Sequence, residues 1–318
     1  MAAINQEALP YPAAKKRTRT GLLLDIRKNK LLYVMLLPVL LYYVVFHYAP
    51  MYGAIIAFKD FSPRLGIWGS EWVGFAHFET FFSGAYFWRT IKNTILISLN
   101  ELVFGFPAPI ILALLLNEVR NSVFKRTVQT VTYMPYFISL VVICGIIKDF
   151  TASSGVINDI IAFFGGERLT LLLEPEWFRT IYVSSGIWQH IGWGTIIYLA
   201  ALTGIDQEQY EAAKMDGAGR WKQMLNVTLP GLMPTIIILL ILELGRMMNV
   251  GFEKIILLYN PSTFDTADVV SSYVYRVGLQ EFNYSFSSAV GLFNSAVNFT
   301  LLLGSNWISR KLNSTSLW

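Results

Sequence analysis

Six apolar runs divide the chain, at about 31–58, 91–117, 127–147, 180–204, 228–250 and 286–308. A helix needs about 20 residues to cross the hydrocarbon core of a bilayer. Every run reaches that length, and few charges interrupt any of them. They are too long for strands or short core helices. The pattern predicts an all-α membrane protein with six transmembrane helices.

The polar segments set the orientation. Lys15, Lys16, Arg17, Arg19, Arg27, Lys28 and Lys30 precede the first run. Arg120, Lys125 and Arg126 follow the second, and Lys214, Arg220 and Lys222 separate the fourth from the fifth. Arg310 and Lys311 follow the sixth. Short cytoplasmic segments carry an excess of Lys and Arg. Six spans with both termini cytoplasmic put all these clusters inside. The segments at about 59–88, 148–179 and 251–285 then lie outside. Their aromatics, Trp68, Trp72, Trp88, Tyr273 and Tyr275 among them, suit either an interfacial belt or a docking surface for an outside partner.

Composition agrees. Apolar residues make up 54% before glycine is counted, and charged residues only 14%, against about 25% in soluble domains. Mean hydropathy is +0.48. The net charge of +4 sits mostly at the ends of apolar runs, which points to membrane topology and away from nucleic acid. The N-terminal stretch has no short apolar segment with a cleavage site, so no cleaved signal peptide is expected. Cys144 is the single cysteine, so no intrachain disulfide forms. The sequence contains no phosphate-binding Gly-x-x-x-x-Gly-Lys-Ser/Thr loop, no His-Glu-x-x-His and no Gly-x-Ser-x-Gly. No catalytic or metal-binding residue is expected.

The segment between the fourth and fifth runs is the most informative. Asp206 is a good N-cap, with Gln209 at the capping-box position. A short helix from Gln207 to about Met215 follows, and Gly217 can take the left-handed conformation that stops it. Pro230 suits the first turn of the fifth span. Ala212 and Ala213 leave room for close packing.

Glu211-Ala212-Ala213, then Gly217, Val227 and Leu229-Pro230 resemble the EAA loop of permease subunits of binding-protein-dependent ABC importers. The spacing agrees throughout, and Val227 in place of Ile is the one departure. Further on, Asn249-Val250-Gly251-Phe252-Glu253, Tyr259-Asn260-Pro261, Asp268-Val269-Val270, Tyr273-Val274-Tyr275-Arg276-Val277-Gly278 and Ala289-Val290-Gly291-Leu292-Phe293 look like the oligosaccharide and polysaccharide-fragment branch, which includes the alginate importer. Phe58-Lys59-Asp60 and Trp72-Val73-Gly74 with Phe78 also fit. The similarity covers about 30–312.

The resemblance implies a type I importer fold in a bacterial cytoplasmic membrane. It also implies a second permease subunit, two cytoplasmic ABC ATPase subunits and an extracytoplasmic solute-binding protein, with an oligosaccharide as substrate. ATP would be hydrolysed in the partner subunits, so this chain needs no cofactor. Glu211, Ala212, Ala213 and Gly217 would form the ATPase-coupling loop. The organisation is then a basic cytoplasmic segment at 1–29, the first membrane helix and its outer loop at 30–90, a permease core at 91–312 with the coupling loop at 204–230, and a tail at 313–318.

Polar residues inside the spans are costly in lipid and usually face protein or water. Span two has Asn100 and Glu101, then Pro107 and Pro109, which should kink it. Gln189 and Trp193 are one turn apart on span four, beside His190; Glu243, Arg246 and Met247 share a face of span five. The resemblance places substrate-contacting residues on these two spans. Gln189, His190, Trp193, Glu243 and Arg246 are the expected substrate pathway. Plainer readings stand beside it: Glu243 pairs with Arg246, Arg246 snorkels, or Glu101 binds a neighbouring helix. Two rivals differ in mechanism. An ion- or proton-coupled secondary transporter would use Glu101, Glu243 and His190 as a relay, and a membrane-embedded enzyme would need a catalytic constellation that the sequence lacks.

Overall fold

The structure is a computed structural model that describes residues 27–313 and 316–317. Lys15, Lys16, Arg17 and Arg19 of the basic N-terminal segment lie outside the described residues. The chain divides into two units, Met1–Ala54 and Ile55–Trp318. Among the described residues five helical segments are long and apolar enough to cross a membrane, the third being Leu140–Phe163, with a break inside it. Helix α7 (Pro175–Leu202), at 28 residues, is a sixth of sufficient length but more polar composition.

Helix α1 (Lys30–Phe58) makes up most of the described part of the first unit. Its side chains from 31 to 52 are exposed. They are apolar on every side, the pattern of a helix solvated by lipid or by other membrane helices. A π turn at Val44–Tyr48 precedes Pro50. Proline lacks an N–H and its ring presses on the carbonyl four residues back, and the wider turn relieves that pressure.

In the second unit a two-residue antiparallel pairing comes first, β1 (Lys59–Asp60) with β2 (Glu71–Trp72). It positions Phe58 to stack on Trp72 at 5.7 Å between centroids. Helix α2 (Ala76–Ser83) follows, and then α3 (Phe87–Glu118). The kink expected at Pro107 and Pro109 takes the form of a π turn at Glu101–Gly105. Phe106 N donates to Glu101 O, five residues back, at 2.9 Å. The turn swings Glu101 off the regular helical ladder, and such turns recur at functional sites.

The third run differs from expectation. In place of one span over 127–147 the chain forms α4 (Ser122–Tyr133), a 3-10 turn at Met134–Phe137 and α5 (Leu140–Thr151). Pro135 removes a donor from the ladder, and the backbone becomes extended at Ile138 and Ser139. Helix α6 (Val156–Phe163) follows. Asn158 fastens it by donating to Ala152 O and Leu169 O at 2.7 and 2.8 Å.

Helix α7 packs against α4 and α3 through glycines. A Cβ on Gly192 would collide with the Thr132 carbonyl, and one on Gly194 would sit 2.9 Å from Pro109 Cγ. Small residues at such crossings let membrane helices approach closely. Helix α8 (Gln207–Met215) leads to α9 (Arg220–Leu244), which again has a π turn, Met224–Thr228, ahead of a proline, Pro230. Helix α9 stops six residues short of the expected 250. Residues 245–248 form tight turns instead, where a Cβ on Gly245 would lie 2.7 Å from Leu302 Cδ1.

The far end of the bundle from α8 carries α10 (Phe252–Leu258), α11 (Val270–Tyr275) and the start of α12 (Tyr284–Asn313). Ile97, Ile143, Phe178 and Ile255 meet in its core. Asp268 is fully buried there, and its carboxylate is satisfied three ways. Arg276 donates at 2.7 and 3.1 Å, Arg89 at 3.3 Å and Ser272 Oγ at 2.8 Å. Burial is the largest single influence and works against the charge of Arg276, but hydrogen bonding and charge attraction to Asp268, together with Tyr259, outweigh it and hold the guanidinium above the usual arginine range.

Candidate functional site

Two regions gather the chemistry. The first is the loop at α8. Asp206 caps the helix, accepting from Glu208 N at 3.0 Å. Gly217 has φ +75. Gly217 N donates to Lys214 O and Ala218 N to Ala213 O, the paired bonds of a Schellman stop. Tyr210 anchors the helix, its hydroxyl 3.0 Å from Thr228 Oγ1 and its ring against Leu202, Ile205 and Leu232. Glu211, Ala212 and Gly217 remain exposed, Ala213 half-buried. Met215 is 88% exposed and Trp221 73% exposed. The short helix is fixed at its base, with a carboxylate, small residues and Met215 exposed, and Trp221 is exposed beside it at the start of α9; exposed apolar side chains grouped in this way suit a protein contact.

The second is a cavity of about 560 Å³ between α3, α7, α9 and α10. Glu101, His190, Glu243, Arg246 and Lys254 line it. A smaller cavity of about 140 Å³ adjoins it, sharing Glu101, Glu243 and Arg246. Among the described residues no ion pair joins any of these charges. His190 Nδ1 lies 3.0 Å from Gly186 O. Lys254 is buried, donates to Tyr182 O at 2.8 Å and lies over the Tyr182 ring at 4.6 Å. Charged groups facing a cavity in a membrane bundle without ion pairing are costly there and mark a functional site.

Of the residues singled out from sequence, His190, Glu243 and Arg246 line this cavity. Gln189 and Trp193 do not. They share a face of α7, as their spacing requires, but it is the face held against α4 by Gly192. Trp193 stacks on Tyr136 with centroids 4.5 Å apart and planes 2° from parallel. Gln189 is buried, with Oε1 unpartnered. The direct Glu243–Arg246 pair is also not formed, because α9 ends between them. Lys254 escaped the sequence reading. It sits on the face of α10 that carries Ile255 and Leu258, all three buried. A lysine at a core position of a short apolar helix was the available signal.

Residues 105–314 match the family described as binding-protein-dependent transport system inner membrane component. The chain is 48% identical over 294 residues to Protein LplB of Bacillus subtilis (strain 168), covering 92% of each. It is 45% identical over 305 residues to the polygalacturonan/rhamnogalacturonan transport system permease protein YteP of the same organism, covering 96% of this chain and 95% of that one. Among solved structures it is similar to a chain of the bacterial alginate ABC transporter in complex with an alginate pentasaccharide-bound periplasmic protein. There the TM-score is 0.86, identity is 44%, and 93% of this chain and 99% of that chain are covered.

Proposed function

This chain belongs to the family of inner membrane components of binding-protein-dependent transport systems, and from that premise we propose that it is one permease subunit of an ATP-driven oligosaccharide importer. One observation carries the proposal: a protruding, locally fixed helix at one end of the bundle occurs in the same chain as a charged, unpaired cavity. The first suits an energy-supplying partner and the second a polar cargo. The substrates for which the polygalacturonan/rhamnogalacturonan permease and the alginate transporter are named support a polysaccharide fragment.

In this reading the chain lies in the bacterial cytoplasmic membrane with both termini cytoplasmic. A second permease subunit completes the pathway, and an extracytoplasmic solute-binding protein delivers the sugar. Two ABC ATPase subunits grip the α8 loop through Glu211, Ala212, Ala213 and Gly217. Their closure on ATP moves the loop as a rigid body, and the bundle rocks to switch the cavity from one side to the other. The chain itself needs no cofactor. His190, Glu243 and Arg246 contact the sugar, while Gln189 and Trp193 serve packing on the α4 side.

Uptake by proteoliposomes holding the assembled complex tests the proposal. ATP enclosed in the vesicle, on the ATPase side, should drive accumulation of sugar delivered from outside, and an imposed proton or sodium gradient should not. Gradient-driven uptake without ATP would instead establish the secondary-transport mechanism. For topology, a cysteine at Ser153 should react with an impermeant thiol reagent in intact cells, and one at Met215 should react only after lysis; the reverse pattern contradicts the orientation.

A further inference from the structure

We propose that Lys254 selects substrate charge, binding the carboxylate of a uronate-type sugar residue inside the cavity while Glu101 accepts from that residue's hydroxyls. The inference rests on the importer reading and names the class of oligosaccharide it carries.

The geometry around Gly186 is the starting point. A Cβ built on Gly186 would lie 3.4 Å from Lys254 Nζ and 4.0 Å from Glu101 Oε1. An ammonium on α10 and a carboxylate on α3 therefore approach the same bare stretch of α7 from two elements. Only a missing side chain leaves the space between them open. Yet the two form no ion pair. If Lys254 served to neutralise Glu101, contact across this gap would be the expected arrangement.

Lys254 is 7% exposed. An ammonium has three N–H donors, and one is used, on Tyr182 O. Burying a charge with most of its donors free is unfavourable unless a partner arrives. The Glu101 carboxylate takes part in no hydrogen bond or ion pair among the described residues. The site thus holds a cation with two unused donors and a carboxylate with unused acceptors, both facing a cavity.

A sugar acid supplies both complements on one ring. Its carboxylate takes the two spare donors of Lys254, and its hydroxyls donate to Glu101. A neutral sugar satisfies Glu101 but brings no anion to the two spare donors of Lys254, whose nearest carboxylate, Glu101, stays out of ion-pair contact. Arg246 and His190 line the same cavity, so a second carboxylate along the chain also meets a cation. Lys254 is thus a specificity-determining residue, and Gly186 is the gap that lets the sugar reach it.

The test uses the complete transporter, binding protein included, in proteoliposomes supplied with ATP. Oligogalacturonate and its methyl ester, which removes the charge while keeping the ring, are compared. The native complex should take up the free acid at least about tenfold faster than the ester. Lys254→Met should lower free-acid uptake by about ten- to a hundredfold, the effect of losing a hydrogen bond to a charged group, and leave ester uptake within about twofold. Lys254→Arg should keep part of the preference. In Lys254→Met/Glu101→Gln the free-acid defect should persist. Retention of the acid preference in Lys254→Met, or full recovery in the double variant, overturns the proposal, since Lys254 would then only balance Glu101. ATP-driven uptake restricted to neutral oligosaccharides also overturns it but leaves the importer reading standing; no ATP-driven uptake of any oligosaccharide refutes both.

Discussion

The α8 loop and the charged cavity present their chemistry by opposite means. The loop is made by its own neighbours: Asp206, Gly217 and Tyr210 fix one short helix within 25 residues of chain, and its working side chains stand exposed. The cavity is made by distance. Glu101, Gly186, Glu243 and Lys254 come from four helices, and each is useless alone. A local device can be moved as a rigid body by a partner. A composite device changes its properties whenever the helices around it shift, which is what alternating access requires. Variants in the two regions should therefore fail differently.

The largest effect is expected at Gly217. Its φ of +75 excludes a β-branched residue at a cost of about 1–3 kcal/mol, although open space surrounds it. Gly217→Val should assemble yet lose nearly all transport and all substrate-stimulated ATP hydrolysis, measured on the purified complex. Normal stimulation would remove the loop from the coupling role. Glu211→Lys sharpens the point without touching the backbone. Stimulated hydrolysis should fall by about tenfold or more while expression and thermal stability stay as in the native complex.

At the cavity, Glu243→Gln removes a charged hydrogen-bonding partner, a contribution of about 1.5–3 kcal/mol, so uptake should drop by about ten- to a hundredfold. Gly186→Val fills the gap between Lys254 and Glu101 and should reduce uptake by a similar factor, whereas Gly186→Ala should be milder, because its methyl meets Nζ at an ordinary contact distance of 3.4 Å. Equal effects of the two would place the sugar elsewhere. The smallest change is expected from Trp193→Ala. Its ring is stacked on Tyr136, so uptake kinetics should move by less than about threefold while thermal stability drops. A large kinetic defect with unchanged stability would bring the α4 side into the pathway.

The same contrast explains what the sequence made legible. The helix at α8, its cap and its left-handed stop follow from residues a few positions apart, and periodicity located the six apolar runs. Breaks set by tertiary packing were hidden. Helix α9 ends at Leu244, where Gly245 lies against Leu302, and the third run splits at Pro135. On α7, spacing put Gln189 and Trp193 on one face, but only the close approach of Gly192 to Thr132 decides that this face meets α4. Lys254 resembled any loop cation until α10 folded it inward.

The central claim is that one region couples energy and the other carries cargo. It is tested most directly by the number of ATP molecules hydrolysed per sugar taken up, measured in one proteoliposome preparation for Gly217→Val and Glu243→Gln. The account predicts that Gly217→Val loses hydrolysis and uptake together, while Glu243→Gln keeps stimulated hydrolysis and raises the ratio by about tenfold or more. A Glu243→Gln complex in which hydrolysis falls in step with uptake, leaving the ratio unchanged, would contradict it.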